Sequence, residues 1–195
     1  MKKYVFTPGG WNQEDFMYVY SPKHKLFPEF TQEKNCIVNQ QDPQMGEKFP
    51  YQYISMVTKE RYGVGTKIST KCDFDHFGAP IIVLSDDIHE EEGHLFYNLH
   101  FEVVAYEKGC NVWHLVQDPA RPERPLCPTK IACPEFVIED GSMIEMSVEI
   151  KEKKLKIWVN DQCFEVEHPQ LPKKCHIGIT ACEGINHFYE LTVEE

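Results

Sequence analysis

From Leu95 to Val103 the side chains alternate with a period of two. Leu95, Tyr97, Leu99, Phe101 and Val103 fall on one side of an extended strand, and Asn98, His100 and Glu102 on the other. The same alternation returns at Ile68, Thr70, Cys72 and Phe74, at Ile144, Met146, Val148 and Ile150, and at Leu155, Ile157 and Val159. Pro80–Leu84 is a short apolar run, and further short strand segments cover Asn111–Val116, Cys163–Val166, His176–Thr180 and His187–Val193. Such segments satisfy their backbone by pairing strand with strand, and bury their apolar faces by stacking sheet on sheet. Turn signals at short spacing separate them, so the expectation is an all-β chain forming an antiparallel β-sandwich.

The 195 residues are expected to form one domain, 1–195. Its first 60 residues hold Trp11, Tyr18, Tyr20 and several Pro breaks, and are read only as an outer strand and an irregular segment. Residues 118–134 carry Pro119, Pro122, Pro125, Pro128 and Pro134 together with Arg121 and Arg124. A proline-rich stretch cannot be a central strand, so it is a loop or an edge. With 20 Lys+Arg against 31 Asp+Glu the net charge is −11, which argues against a nucleic-acid or anionic-membrane partner. No apolar run is long enough for a transmembrane helix. Near the N-terminus the apolar run is only Tyr4-Val5-Phe6, too short for the core of a signal peptide, so a cytoplasmic location is expected. The eight cysteines show no C-x-x-C spacing and are expected to be free, mostly buried thiols.

The C-terminal hairpin can be registered by hand. A loop over Lys151-Glu-Lys-Lys154 pairs Ile150 with Leu155, Glu149 with Lys156, Ser147 with Trp158 and Glu145 with Asn160. One face is then aliphatic, and the other carries charges around one large aromatic, Trp158.

Here the chain resembles the concanavalin A-like lectin/glucanase superfamily, with its laminin-G-like modules and laminarinase-type β-glucanases. The resemblance is carried by Leu155-Lys-Ile-Trp-Val-Asn-Asp161, Leu171-Pro, Ile177-Gly-Ile-Thr-Ala181 and Phe188-Tyr-Glu-Leu-Thr-Val193. It implies a jelly roll. It covers about 55 residues well and the strands from Lys67 onward loosely, and it guides fold more than function. Laminarinase-type enzymes carry E-x-D-x-E on a strand facing the concave cleft. The matching strand here reads Asn98-x-His100-x-Glu102, which keeps only the last carboxylate. A retaining glycosidase needs two carboxyl groups about 5–5.5 Å apart.

These residues lead to a carbohydrate-binding, lectin-like domain whose concave sheet recognises a glycan or small sugar. Asn98, Trp113 and Trp158, with Glu145 and Glu149, are the ligand-binding candidates, because a flat ring offers apolar area and polar groups read hydroxyl orientation. The alternatives are a glycoside hydrolase or other carbohydrate-active enzyme, with Glu102 as acid/base and His100 assisting, and a protein-interaction module using the Pro-rich segment. The acidic run Ser85–His94 invites Ca²⁺, common in this superfamily, but it lacks the EF-hand pattern and is read as a solvated loop. Asp73-x-Asp75-His76 is a weak metal motif, and no resident metal or cofactor is expected.

Overall fold

The computed structural model describes residues 1–20, 28–39, 53–75, 77–118, 120 and 126–195. His76, Pro119, Arg121, Pro122, Arg124 and Pro125 lie outside the described residues. The strands are β1 Lys2–Val5, β2 Phe16–Val19, β3 Thr31–Gln32, β4 Ile37–Val38, β5 Tyr53–Thr58, β6 Tyr62–Gly63, β7 Lys67–Asp75, β8 Ala79–Glu91, β9 His94–Tyr106, β10 Gly109–Val116, β11 Cys127–Ala132, β12 Ile144–Lys151, β13 Lys154–Val159, β14 Gln162–Glu167, β15 Lys174–Cys182 and β16 Ile185–Glu194. They form two antiparallel sheets. The first runs β14-β13-β12-β7-β16-β4-β3, with β1 also on β16. The second runs β11-β10-β9-β8-β15-β5-β2, with β6 also on β15.

The alternation explains the sandwich. Ile68, Met146, Val148, Ile157 and Leu191 of the first sheet meet Ile82, Leu84, Phe101, Val103 and Ile179 of the second in one core. The hairpin register expected from the sequence is the observed one: Ile150 pairs with Leu155, Glu149 with Lys156 and Ser147 with Trp158. Beyond the last pair, the Asn160 amide donates to the Glu145 carbonyl and the Glu145 amide to Asn160 Oδ1. Lys151 and Lys154 pair as well, which leaves a two-residue turn with Lys153 at φ 60°.

The first 60 residues contribute more strands than the sequence suggests, with β1 to β5 among them. Other departures have local causes. In β9, Leu99 pairs with Asp87 and Tyr97 with Ile88, so Asn98 is an extra residue. This bulge breaks the expected alternation and sends Tyr97 to the face that carries His100, away from Phe101 and Val103. The acidic run is not a loop: Ser85–Glu91 is strand, and the chain reverses at Glu92 and Gly93. Both have positive φ, 52° and 81°, as a type I′ hairpin turn requires. Within 118–134, Cys127–Ala132 is the edge strand of the second sheet, where Pro128 costs no central ladder bond. All eight cysteines are free. Cys36, Cys72, Cys110 and Cys175 are buried, Cys182 is half-buried, and Cys127, Cys133 and Cys163 are exposed.

Candidate functional site

The outer face of the second sheet collects most of the residues singled out in the sequence. The register aligns Met17, Val57, Gly178, Val83, Glu102, Trp113 and Lys130 in one row across seven strands. Gly178, of the Ile-Gly-Ile motif, sits mid-row. A Cβ there would lie 2.1 Å from the Met56 carbonyl oxygen, so glycine allows β5 to approach β15.

The centre of this face is closed. Val19, Val57, Val83, Tyr97 and Leu126 are buried together on it, with Met17, Ile88, Leu95 and Leu115 packed around them. His100 is fully buried and Glu102 is 5% exposed. They therefore do not open into a trough as their polarity suggests. His100 Nε2 and Glu102 Oε1 are 2.7 Å apart, and the Tyr97 ring lies 4.3 Å from the imidazole. Burial penalises charge on both groups: it holds the His100 pKa down to about 3 and lifts that of Glu102 to about 8. With both uncharged, the Glu102 carboxyl donates its proton to Nε2. In this internal pair the partner of Glu102 is an imidazole, not a second carboxylate. Asn98 lies outside the pair and donates to Asp87 at 2.9 Å.

The accessible part of the face lies toward β10 and β11. Trp113 is half-buried and directly opposite Glu102, which fixes the facing that the sequence left open. Lys130 pairs with Trp113 in register, and its ammonium stands 4.8 Å from the indole ring. Asn111, two residues along β10, shares the face and has a buried Oδ1 with no hydrogen-bond partner among the described residues. Tyr97, Asn111 and Lys130 were not singled out in the sequence. The parity of Asn111 with Trp113 was a usable signal for the second. For Tyr97 and Lys130 the bulge and the edge pairing decide.

Trp158, Glu145 and Glu149 do not join this site. They lie on the outer face of the first sheet, because Met146, Val148, Ile157 and Val159 take the inner positions on β12 and β13. The whole sandwich separates them from Glu102 and Trp113. Glu145 pairs with Lys71 at 3.4 Å. Glu149 pairs with Lys151, not with Lys156 opposite it. Among the described residues no group of three or more His, Cys, Asp or Glu side chains is placed to hold a metal ion.

No protein-family model matches the chain, and no curated protein matches it in sequence. Solved structures do resemble it. The carbohydrate-binding module CBM66 from Bacillus subtilis superposes with a TM-score of 0.66 at 9% identity, over 93% of this chain and 96% of its own. A pseudo-β-1,3-glucanase of Mycobacterium tuberculosis gives 0.59 at 12% identity, over 99% and 97%. A legume lectin-like domain from Entamoeba histolytica gives 0.57 at 14%, over 93% and 90%. Two stacked antiparallel sheets, matched nearly end to end by these proteins, make the chain a concanavalin A-like jelly roll.

Proposed function

We propose that this domain binds a glycan without cleaving it, on the outer face of its second sheet, with Trp113 as the stacking platform. The observation that carries the reading is the half-buried indole beside a polar rim of Asn111 and Lys130. A sugar ring has an apolar C–H face and an edge of hydroxyls. An aromatic supplies the first contact and neighbouring polar groups the second. The similarity of the fold to a carbohydrate-binding module and a lectin-like domain supports the same reading. The buried pairing of Glu102 with His100 speaks for binding over hydrolysis, since a retaining mechanism needs a second carboxyl group about 5–5.5 Å away.

A glycan array followed by titration calorimetry tests this. A neutral oligosaccharide is expected to bind, and Trp113→Ala to weaken it at least about tenfold, equivalent to about 1.4 kcal/mol. Prolonged incubation is expected to release no reducing ends. Release that Glu102→Gln abolishes would replace the binding reading with an enzymatic one.

A further inference from the structure

Trp158 is left over from the site just described, and its surroundings form a second arrangement on the opposite side of the molecule. Across the outer face of the first sheet, Thr192, Ser69, Ser147, Trp158 and Cys163 lie in one row. Three small hydroxyl side chains thus lead up to one indole. Two rows of longer side chains flank this lane. One reads Glu194, Lys67, Glu149, Lys156, Glu165 and the other Glu190, Lys71, Glu145, Asn160. The result is a shallow lane running perpendicular to the strands, floored by hydroxyls and an aromatic ring and walled by charge.

The charges in the walls are not evenly matched. Lys71 holds Glu145 at 3.4 Å and Glu190 at 3.7 Å, Lys3 holds Glu190 at 2.7 Å, Lys151 holds Glu149, and Lys154 holds Glu165 at 2.7 Å. Lys67 and Lys156 form no ion pair among the described residues. Their ammonium groups instead lie 4.6 Å and 4.9 Å from the Trp158 ring. Two cations without a close ion pair therefore converge on one aromatic surface, although Glu149 and Glu165 neighbour them along the row. Both sit on flexible four-carbon stems that can swing from the ring to a stronger partner.

We propose that this lane is a second glycan-binding surface, selective for a sugar that carries an anionic substituent, a carboxylate or a sulfate ester. The sugar ring stacks on Trp158, its hydroxyls meet Ser69 and Thr192, and its charge takes Lys67 and Lys156 from the indole. The flat hydroxyl floor suits a pyranose chain better than an acidic peptide. The surface is independent of the Trp113 face, so either can fail without the other.

Calorimetry of the intact chain with an oligogalacturonide, a sulfated galactan oligosaccharide and the neutral galactan of equal length tests the proposal. At least one acidic oligosaccharide is expected to bind more tightly than the neutral one, and the comparison of the two identifies the anion. Trp158→Ala and the double variant Lys67→Gln/Lys156→Gln should each weaken binding at least about tenfold, an effect that shrinks as salt is raised. Trp113→Ala should leave it unchanged. The lysine variant keeps the indole, so it decides the matter if Trp158→Ala fails to fold. Absence of binding by both acidic sugars, loss through Trp113→Ala with retention in the lysine variant, or equal affinity for a poly-glutamate peptide would overturn the proposal.

Discussion

At the scale of single residues, His100 and Glu102 tie the interior of the second sheet to pH. Folded, the pair holds one proton, on the carboxyl, between the two displaced values of about 3 and about 8. In the unfolded chain the ordinary values are 6.5 for the imidazole and 4.5 for the carboxyl, so between these the unfolded chain also holds one proton. The pair's contribution to stability is therefore flat from pH 4.5 to 6.5. Above 6.5 the unfolded chain has released both protons while Glu102 keeps its own, so raising the pH toward 8 favours unfolding, by at most about 1.4 kcal/mol per pH unit. Below 4.5 the unfolded chain takes up both, and stability falls again. His114 and His168, whose rings lie 4.4 Å apart and whose pKa values burial lowers, steepen the acid side. Thermal melts across pH 5 to 8.5 are expected to show the alkaline decline in the native chain and to lose most of it in Glu102→Gln. At Gly178 the expected effect is steric. Gly178→Ala forces a methyl against the β5 backbone and should lower Tm by roughly 10 °C. An unchanged Tm would mean that β5 and β15 are farther apart. That glycine was legible in the Ile-Gly-Ile motif. The burial of His100 was not, because a polar side chain of correct parity reads the same whether it faces water or a covering segment.

At the scale of elements, period-two patterning disclosed the strands well where both neighbours were regular. The β12–β13 hairpin is the clearest case, since its aliphatic stripe leaves one register that buries it. The reading failed where one residue was inserted. No composition signal marks Asn98 as a bulge, yet that single residue sends Tyr97 to the opposite face. It failed likewise over Ser85–His94, where the charges suggested a loop although the strand ladder continues to Glu91 on an exposed hairpin. The two hairpin turns differ in a testable way. Gly93 already occupies a left-handed position, whereas Lys153 holds φ 60° with a full side chain. Lys153→Gly is expected to stabilise the domain by about 1 kcal/mol in urea unfolding, with m unchanged. A destabilised variant would show that the Lys153 side chain does more for the turn than its backbone costs.

At the scale of the whole molecule, the sandwich gives this chain two outer faces with different chemistry. One has a closed apolar and imidazole–carboxyl centre with Trp113 at its accessible side. The other is an open lane with Trp158 between two lysines. The sequence supplied both tryptophans and the fold, but placed them in one site. Only the pairing of β12 and β13 into the first sheet, and of β9 and β10 into the second, shows that they cannot share a ligand. The chain contains three tryptophans, so three indole N–H signals report on the two faces and on Trp11, whose indole donates to Gln32 at 2.8 Å. Titrating ¹⁵N-labelled protein with a neutral oligosaccharide selected on the glycan array is the most direct measurement. The account predicts that the Trp113 indole and the Asn111 side-chain amide shift, while Trp11 and Trp158 stay in place. Binding that moves Trp158 and leaves Trp113 unmoved would contradict it.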